Sequence, residues 1–128
     1  MNSPHLWLAI GAGGAIGAMA RHAVGAISIR LLGPNFPWGT LTVNVVGSAA
    51  MGFFIAWLLA REPHASMMRA FVATGVLGGF TTFSAFALDA VTLWRDKSLI
   101  VAGAYVAASV LLSVSGLFAG LAAGKAFS

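Results

Sequence analysis

The stretch SLIVAGAYVAASVLLSVSGLFAGLAAG, residues 98–124, carries no charged side chain. A bilayer core about 30 Å thick needs roughly 20 apolar helical residues to cross it. This stretch is long enough and apolar enough to do so. Working back along the chain, residues 70–88 and 31–60 are also uncharged, with Pro34 and Pro37 marking the start of the latter. Residues 1–29 are broken only by Arg21. Four membrane helices follow, over residues 6–32, 39–60, 67–93 and 99–123, forming one transmembrane domain in residues 1–128. The connections are short, so neighbouring helices should run antiparallel.

Composition agrees. Of 128 residues, seven are basic and three acidic; 59% are hydrophobic, 8% are charged and none is cysteine. A soluble domain carries about 25% charged residues. Disorder and a disulfide-stapled secreted domain are excluded by the same numbers. The sequence pI of about 10.9 reflects scarce carboxylates. The scattered cations make no patch for nucleic acid. The N-terminus lacks the basic start of a signal peptide and reads as the first span.

Lys and Arg ordinarily mark the cytoplasmic face. Here Arg61, Arg69 and Lys125 fall on one side and Arg30, Arg95 and Lys97 on the other. Two readings stand: loops too small to carry a signal, or insertion in both orientations with pairing as an antiparallel dimer. Small-xxx-small spacings at Gly13/Gly17, Ser48/Gly52, Gly75/Gly79, Gly116/Gly120 and Gly120/Gly124 favour close helix packing.

Polar side chains in the spans form two stripes. Thr40, Asn44 and Ser48 lie four residues apart on helix two; Tyr105, Ser109 and Ser113 repeat that spacing on helix four. Such residues share a helix face. They offer hydrogen bonds without adding charge, suited either to a small anion or to gluing helices together. Helix three holds Gly78-Gly79-Phe80-Thr81-Thr82-Phe83-Ser84-Ala85-Phe86. Its paired glycines permit a break, and released carbonyls at such a break can hold a cation; an unbroken, closely packed helix is the alternative. Phe83 and Phe86 share a face, and aromatic ring edges are electropositive. Arg21 either draws anions into a vestibule or snorkels to the interface. Asp89 is the one carboxylate in the four segments, late in helix three, where it can pair with a basic group. No catalytic residues are expected: phosphate-loop, nucleophile-elbow and metal-cluster motifs are missing.

Taken together, Gly13-Gly14-Ala15-Ile16-Gly17-Ala18 with Arg21, Pro37-Trp38-Gly39-Thr40-Leu41-Thr42-Val43-Asn44-Val45-Val46-Gly47-Ser48, and the helix-three segment resemble the small fluoride channels of the CrcB/Fluc type over nearly the whole chain. The resemblance implies an all-α membrane protein of the cell inner membrane. Four helices per subunit, the third interrupted, would pair as an antiparallel dual-topology homodimer that exports fluoride passively. By motif it implies Phe83 and Phe86 as pore aromatics and Asn44 as the pore asparagine. Thr40, Tyr105, Ser109 and Ser113 would form a polar route, with Arg21 near the vestibule. Gly78 and Thr81 would hold a structural sodium ion through backbone carbonyls at the dimer interface. His22 stands where relatives commonly have an aromatic residue, and Ala85 where many have threonine. A proton-coupled cation exporter would lack its deep carboxylate. A non-transporting assembly subunit would leave the polar stripes without a purpose.

Overall fold

The computed structural model describes residues 3–128, and all regular structure in them is helical. Four spans are long and apolar enough to cross a membrane: Pro4–Leu32 (α1), Trp38–Arg61 (α2), the composite Ser66–Asp96, and Leu99–Ala126 (α6). The composite third span joins α3 (Ser66–Met68), a π-helical stretch Arg69–Leu77, α4 (Gly78–Phe80) and α5 (Phe83–Asp96).

Local chemistry sets the ends. Ser3 accepts the His5 N–H, and Pro4 opens α1 where its missing donor costs nothing. Gly33 closes α1 at φ 82°, a conformation that favours glycine, and its N–H bonds back to the Ile29 carbonyl at 2.8 Å. Ser98 starts α6 by accepting the Val101 N–H at 3.1 Å.

Two glycine-lined contacts bind the spans in pairs. A Cβ on Gly13 would strike the Phe71 carbonyl, and one on Gly17 would strike the Val76 carbonyl. From the other side, a Cβ on Gly79 would lie 2.6 Å from the Gly14 carbonyl. Partners advance together along both chains, so α1 runs parallel to the first half of the third span. The same holds for α2 and α6: Gly116, Gly120 and Gly124 face residues from Val45 through Ala49 and Phe53 to Ala56, and Gly52 faces Leu117 and Leu121. The connections, residues 33–37, 62–65 and 97–98, are too short to recross the membrane, so consecutive spans alternate in direction. The small residues let backbones meet where lipid supplies no hydrophobic drive.

The third span breaks at Thr81 and Thr82. Both are extended, with φ/ψ of −86°/159° and −154°/121°. Before the break the helix is already widened, the Gly78 N–H reaching the Ala73 carbonyl five residues back. Gly78 and Gly79 are weak helix formers, and β-branched threonine is at ease extended. Thr82 then caps α5, its Oγ1 accepting the Ala85 N–H at 3.1 Å. The interruption expected of helix three is therefore present.

Candidate functional site

A helix break strands backbone groups, and each needs a partner away from water. Asn44 serves Thr82 twice: its Nδ2 donates to the Thr82 carbonyl at 3.0 Å, and its Oδ1 accepts the Thr82 N–H at 2.8 Å. Arg21 Nε donates to the Gly79 carbonyl at 3.1 Å. Thr81 turns its hydroxyl back to the Leu77 carbonyl at 2.9 Å, and its methyl packs on Gly47, where a Cβ would collide with it. The break is thus gripped by α1 through Arg21 and by α2 through Asn44 and Gly47.

Beside it lies a groove of about 300 Å³ lined by Asn44, Ser48, Thr81, Thr82, Phe83, Phe86, Ser109, Ser113 and two valines of α6. Five residues expected in a pore meet here: Asn44, Phe83, Phe86, Ser109 and Ser113. Phe83 is 78% exposed, and its ring lies 5.5 Å from that of Phe86, centroid to centroid. In the same lining, the hydroxyls of Ser109 and Ser113 are buried without any hydrogen-bond partner among the described residues. Serines that glue helices, or that bond to the preceding turn, would show such a partner. These two hold unspent donors at the groove wall.

Thr40 and Tyr105 do not line this groove. Thr40 lies a turn away on α2, between a cavity that also holds Phe36, Asp89 and Asp96 and another that holds Arg21 and His22. Tyr105 is fully buried. Its ring packs on Phe86 at 5.4 Å and meets Phe36 edge-on at 5.5 Å. It therefore packs between Phe86 of the groove and Phe36 of the neighbouring cavity. Its hydroxyl donates to Asp89 Oδ2 at 3.3 Å. Asp89 was expected to pair with a basic group, but this phenol is its partner: the side chain points inward from α5 toward α6. Only the period of α5 hinted at that direction.

Ser48 and Thr82 join the groove without having been singled out as pore residues. Ser48 already stood on the Thr40–Asn44–Ser48 stripe; Thr82 carried no separate signal, because its role comes from the backbone conformation. Thr81 is extended at the break, and Gly78 lies three residues before it in helical geometry. No cluster of His, Cys, Asp or Glu able to hold a metal occurs among the described residues.

The family model described as CrcB-like protein, Camphor Resistance (CrcB) matches residues 8–121. A protein of Agrobacterium fabrum named fluoride-specific ion channel FluC is 53% identical over 117 residues, covering 91% of this chain and 93% of its own length. Proteins with that name from Mesorhizobium japonicum and Hyphomonas neptunium are 53% and 52% identical, covering 85% and 90% of this chain and 87% and 91% of theirs.

Proposed function

The chain belongs to the CrcB-like family, and from that premise we propose that it is a fluoride-selective passive channel, not an enzyme. It crosses the cell inner membrane four times and lets accumulated fluoride run out of the cell. One observation carries the mechanism: Ser109 and Ser113, whose buried hydroxyls have no partner among the described residues, line the same groove as Asn44 and the two phenylalanines.

Fluoride is small and strongly hydrated, so a route must replace its water with donors. Four residues of helix raise the second serine about 6 Å above the first. The two hydroxyls therefore offer successive stations, with the electropositive edges of Phe83 and Phe86 in the same lining. A neutral lining binds enough to admit an anion and not enough to trap it. Thr40 and Tyr105 extend this polar route toward the Phe36 cavity. A cation exporter is disfavoured, since Asp89, the carboxylate set furthest into a span, is engaged by Tyr105.

The groove is open along the side where Phe83 stands exposed. A second copy in antiparallel orientation would close it and supply complementary rings. The even split of cations between the two faces supports insertion both ways up.

A structural sodium ion fits the break. In a continuous helix the Gly78 carbonyl would accept from the Thr82 N–H, and the Thr81 carbonyl from the Ala85 N–H. Those donors go instead to Asn44 Oδ1 and Thr82 Oγ1. Both carbonyls thereby lose their helical partners, and neutral oxygens of this kind suit a hard monovalent cation. Two copies would bring four. The bound charge would favour anions in the protein interior.

The decisive experiment loads liposomes with fluoride and follows its efflux through the purified protein alone. Fluoride should leave under conditions that retain chloride. An unchanged fluoride gradient would overturn the proposal.

A further inference from the structure

Gly13, Gly17 and Arg21 follow one another at four-residue steps along α1 and so share one face. The two glycines are buried against the first half of the third span. Arg21 ends the row with a directed contact, its Nε donating to the Gly79 carbonyl. In an unbroken helix that carbonyl would accept from the Phe83 N–H, but Phe83 lies beyond the break, at the start of α5. Three residues further on, Asn44 holds Thr82 from α2. The extended segment is tethered at each end, by a different helix.

We infer that Arg21 is a positioning residue of the ion route, acting through the Nε–H that holds the Gly79 carbonyl and not through its net charge. Fixing Gly79 against α1 sets where the chain leaves the helix. That in turn brings Thr82 to Asn44 and starts α5 with Phe83 at the groove. The inference deepens the channel reading and rests on it. A residue that only drew anions would need its charge and no particular hydrogen bond. Snorkelling to the interface would point the side chain away from the break, whereas this one bonds to it.

Side-chain chemistry separates the two roles. Glutamine carries an N–H donor at the same number of bonds from the backbone as arginine Nε, without charge. Lysine keeps the charge but places a methylene at that position and its ammonium one bond further out. The test compares wild type, Arg21→Gln, Arg21→Lys and Arg21→Ala in liposomes by fluoride efflux. The same proteins are then compared by backbone hydrogen exchange at the Thr82 and Ala85 amides. Arg21→Gln should keep efflux within about threefold of wild type, with protected amides. Arg21→Lys and Arg21→Ala should lose roughly tenfold or more in efflux and exchange those amides faster by a similar factor, the scale of one lost charge-assisted hydrogen bond. Wild-type behaviour in Arg21→Lys overturns the inference, as does an Arg21→Gln protein as open as Arg21→Ala. Silent wild-type liposomes would instead overturn the channel reading; the exchange pattern would still decide the role of Arg21.

Discussion

Asn44 and Thr82 are joined by two hydrogen bonds that together copy a rung of β-sheet: the side-chain amide of one meets both backbone polar groups of the other. One residue thereby satisfies an extended segment in a region where water is scarce. Asn44→Ala should leave a donor and an acceptor unmet, each costing roughly 1–3 kcal/mol. Asn44→Asp keeps the acceptor, loses the donor and sets a carboxylate against the Thr82 carbonyl. Both should lower the melting temperature in detergent and cut fluoride efflux at least about tenfold. Either variant behaving as wild type in both assays would show that the amide neither holds the break nor serves the groove.

Ser109 and Ser113 should behave in the opposite way. Their hydroxyls have no hydrogen-bond partner among the described residues, so Ser109→Ala and Ser113→Ala remove no hydrogen bond found there. Stability should hold or rise by up to about 1 kcal/mol, because each change removes a buried hydroxyl without a hydrogen-bond partner. Efflux should fall severalfold for each and further for the pair. A large loss of stability with unchanged flux would mark the serines as packing groups.

The glycines divide into two classes that sequence spacing alone does not separate. A Cβ on Gly120 would strike the Ala49 carbonyl, whereas Gly103, on the same helix, has nothing within 4 Å of its would-be Cβ. Gly120→Ala should therefore force α2 and α6 apart and cost several kcal/mol, read as loss of folded protein on extraction. Gly103→Ala should be neutral or gain up to about 1 kcal/mol in helix propensity. Equal sensitivity at the two positions would refute the backbone-contact account of the α2–α6 pairing.

The spans were legible because charge is so costly in a bilayer that its absence over residues 98–124 leaves few alternatives. The groove was partly legible, since four-residue spacing brings Asn44, Ser109 and Ser113 to defined faces. The partners of the break were not. That Arg21 bonds to Gly79 depends on how closely Gly13 and Gly17 let α1 approach, and spacing records no distances. Tyr105 shows the same limit: its period put it with the serines, while packing on Phe36 and Phe86 buried it between two cavities. Asp89 looked like an interfacial charge until the fold turned it toward that phenol.

Insertion in both orientations can be tested by unbalancing the two faces. Trp7 and Trp57 accompany Arg61, Arg69 and Lys125 at one end of the spans, and Trp38 and Trp94 accompany Arg30, Arg95 and Lys97 at the other. Aromatic belts and cations thus match from face to face, and neither supplies a bias. Glu62→Lys with His64→Lys adds positive charge to exposed positions on the first face; Asn35→Lys with Asp96→Lys does so on the second. Each double variant should insert mainly one way up, so that copies of a single kind can no longer pair head to tail. Expressed alone, either should lose most of its fluoride efflux per unit of protein. Expressed together, the two should recover it, because each supplies the orientation the other lacks. Full activity from one variant, with accessibility labelling that finds a single orientation, would refute antiparallel pairing and leave the charge balance without functional meaning.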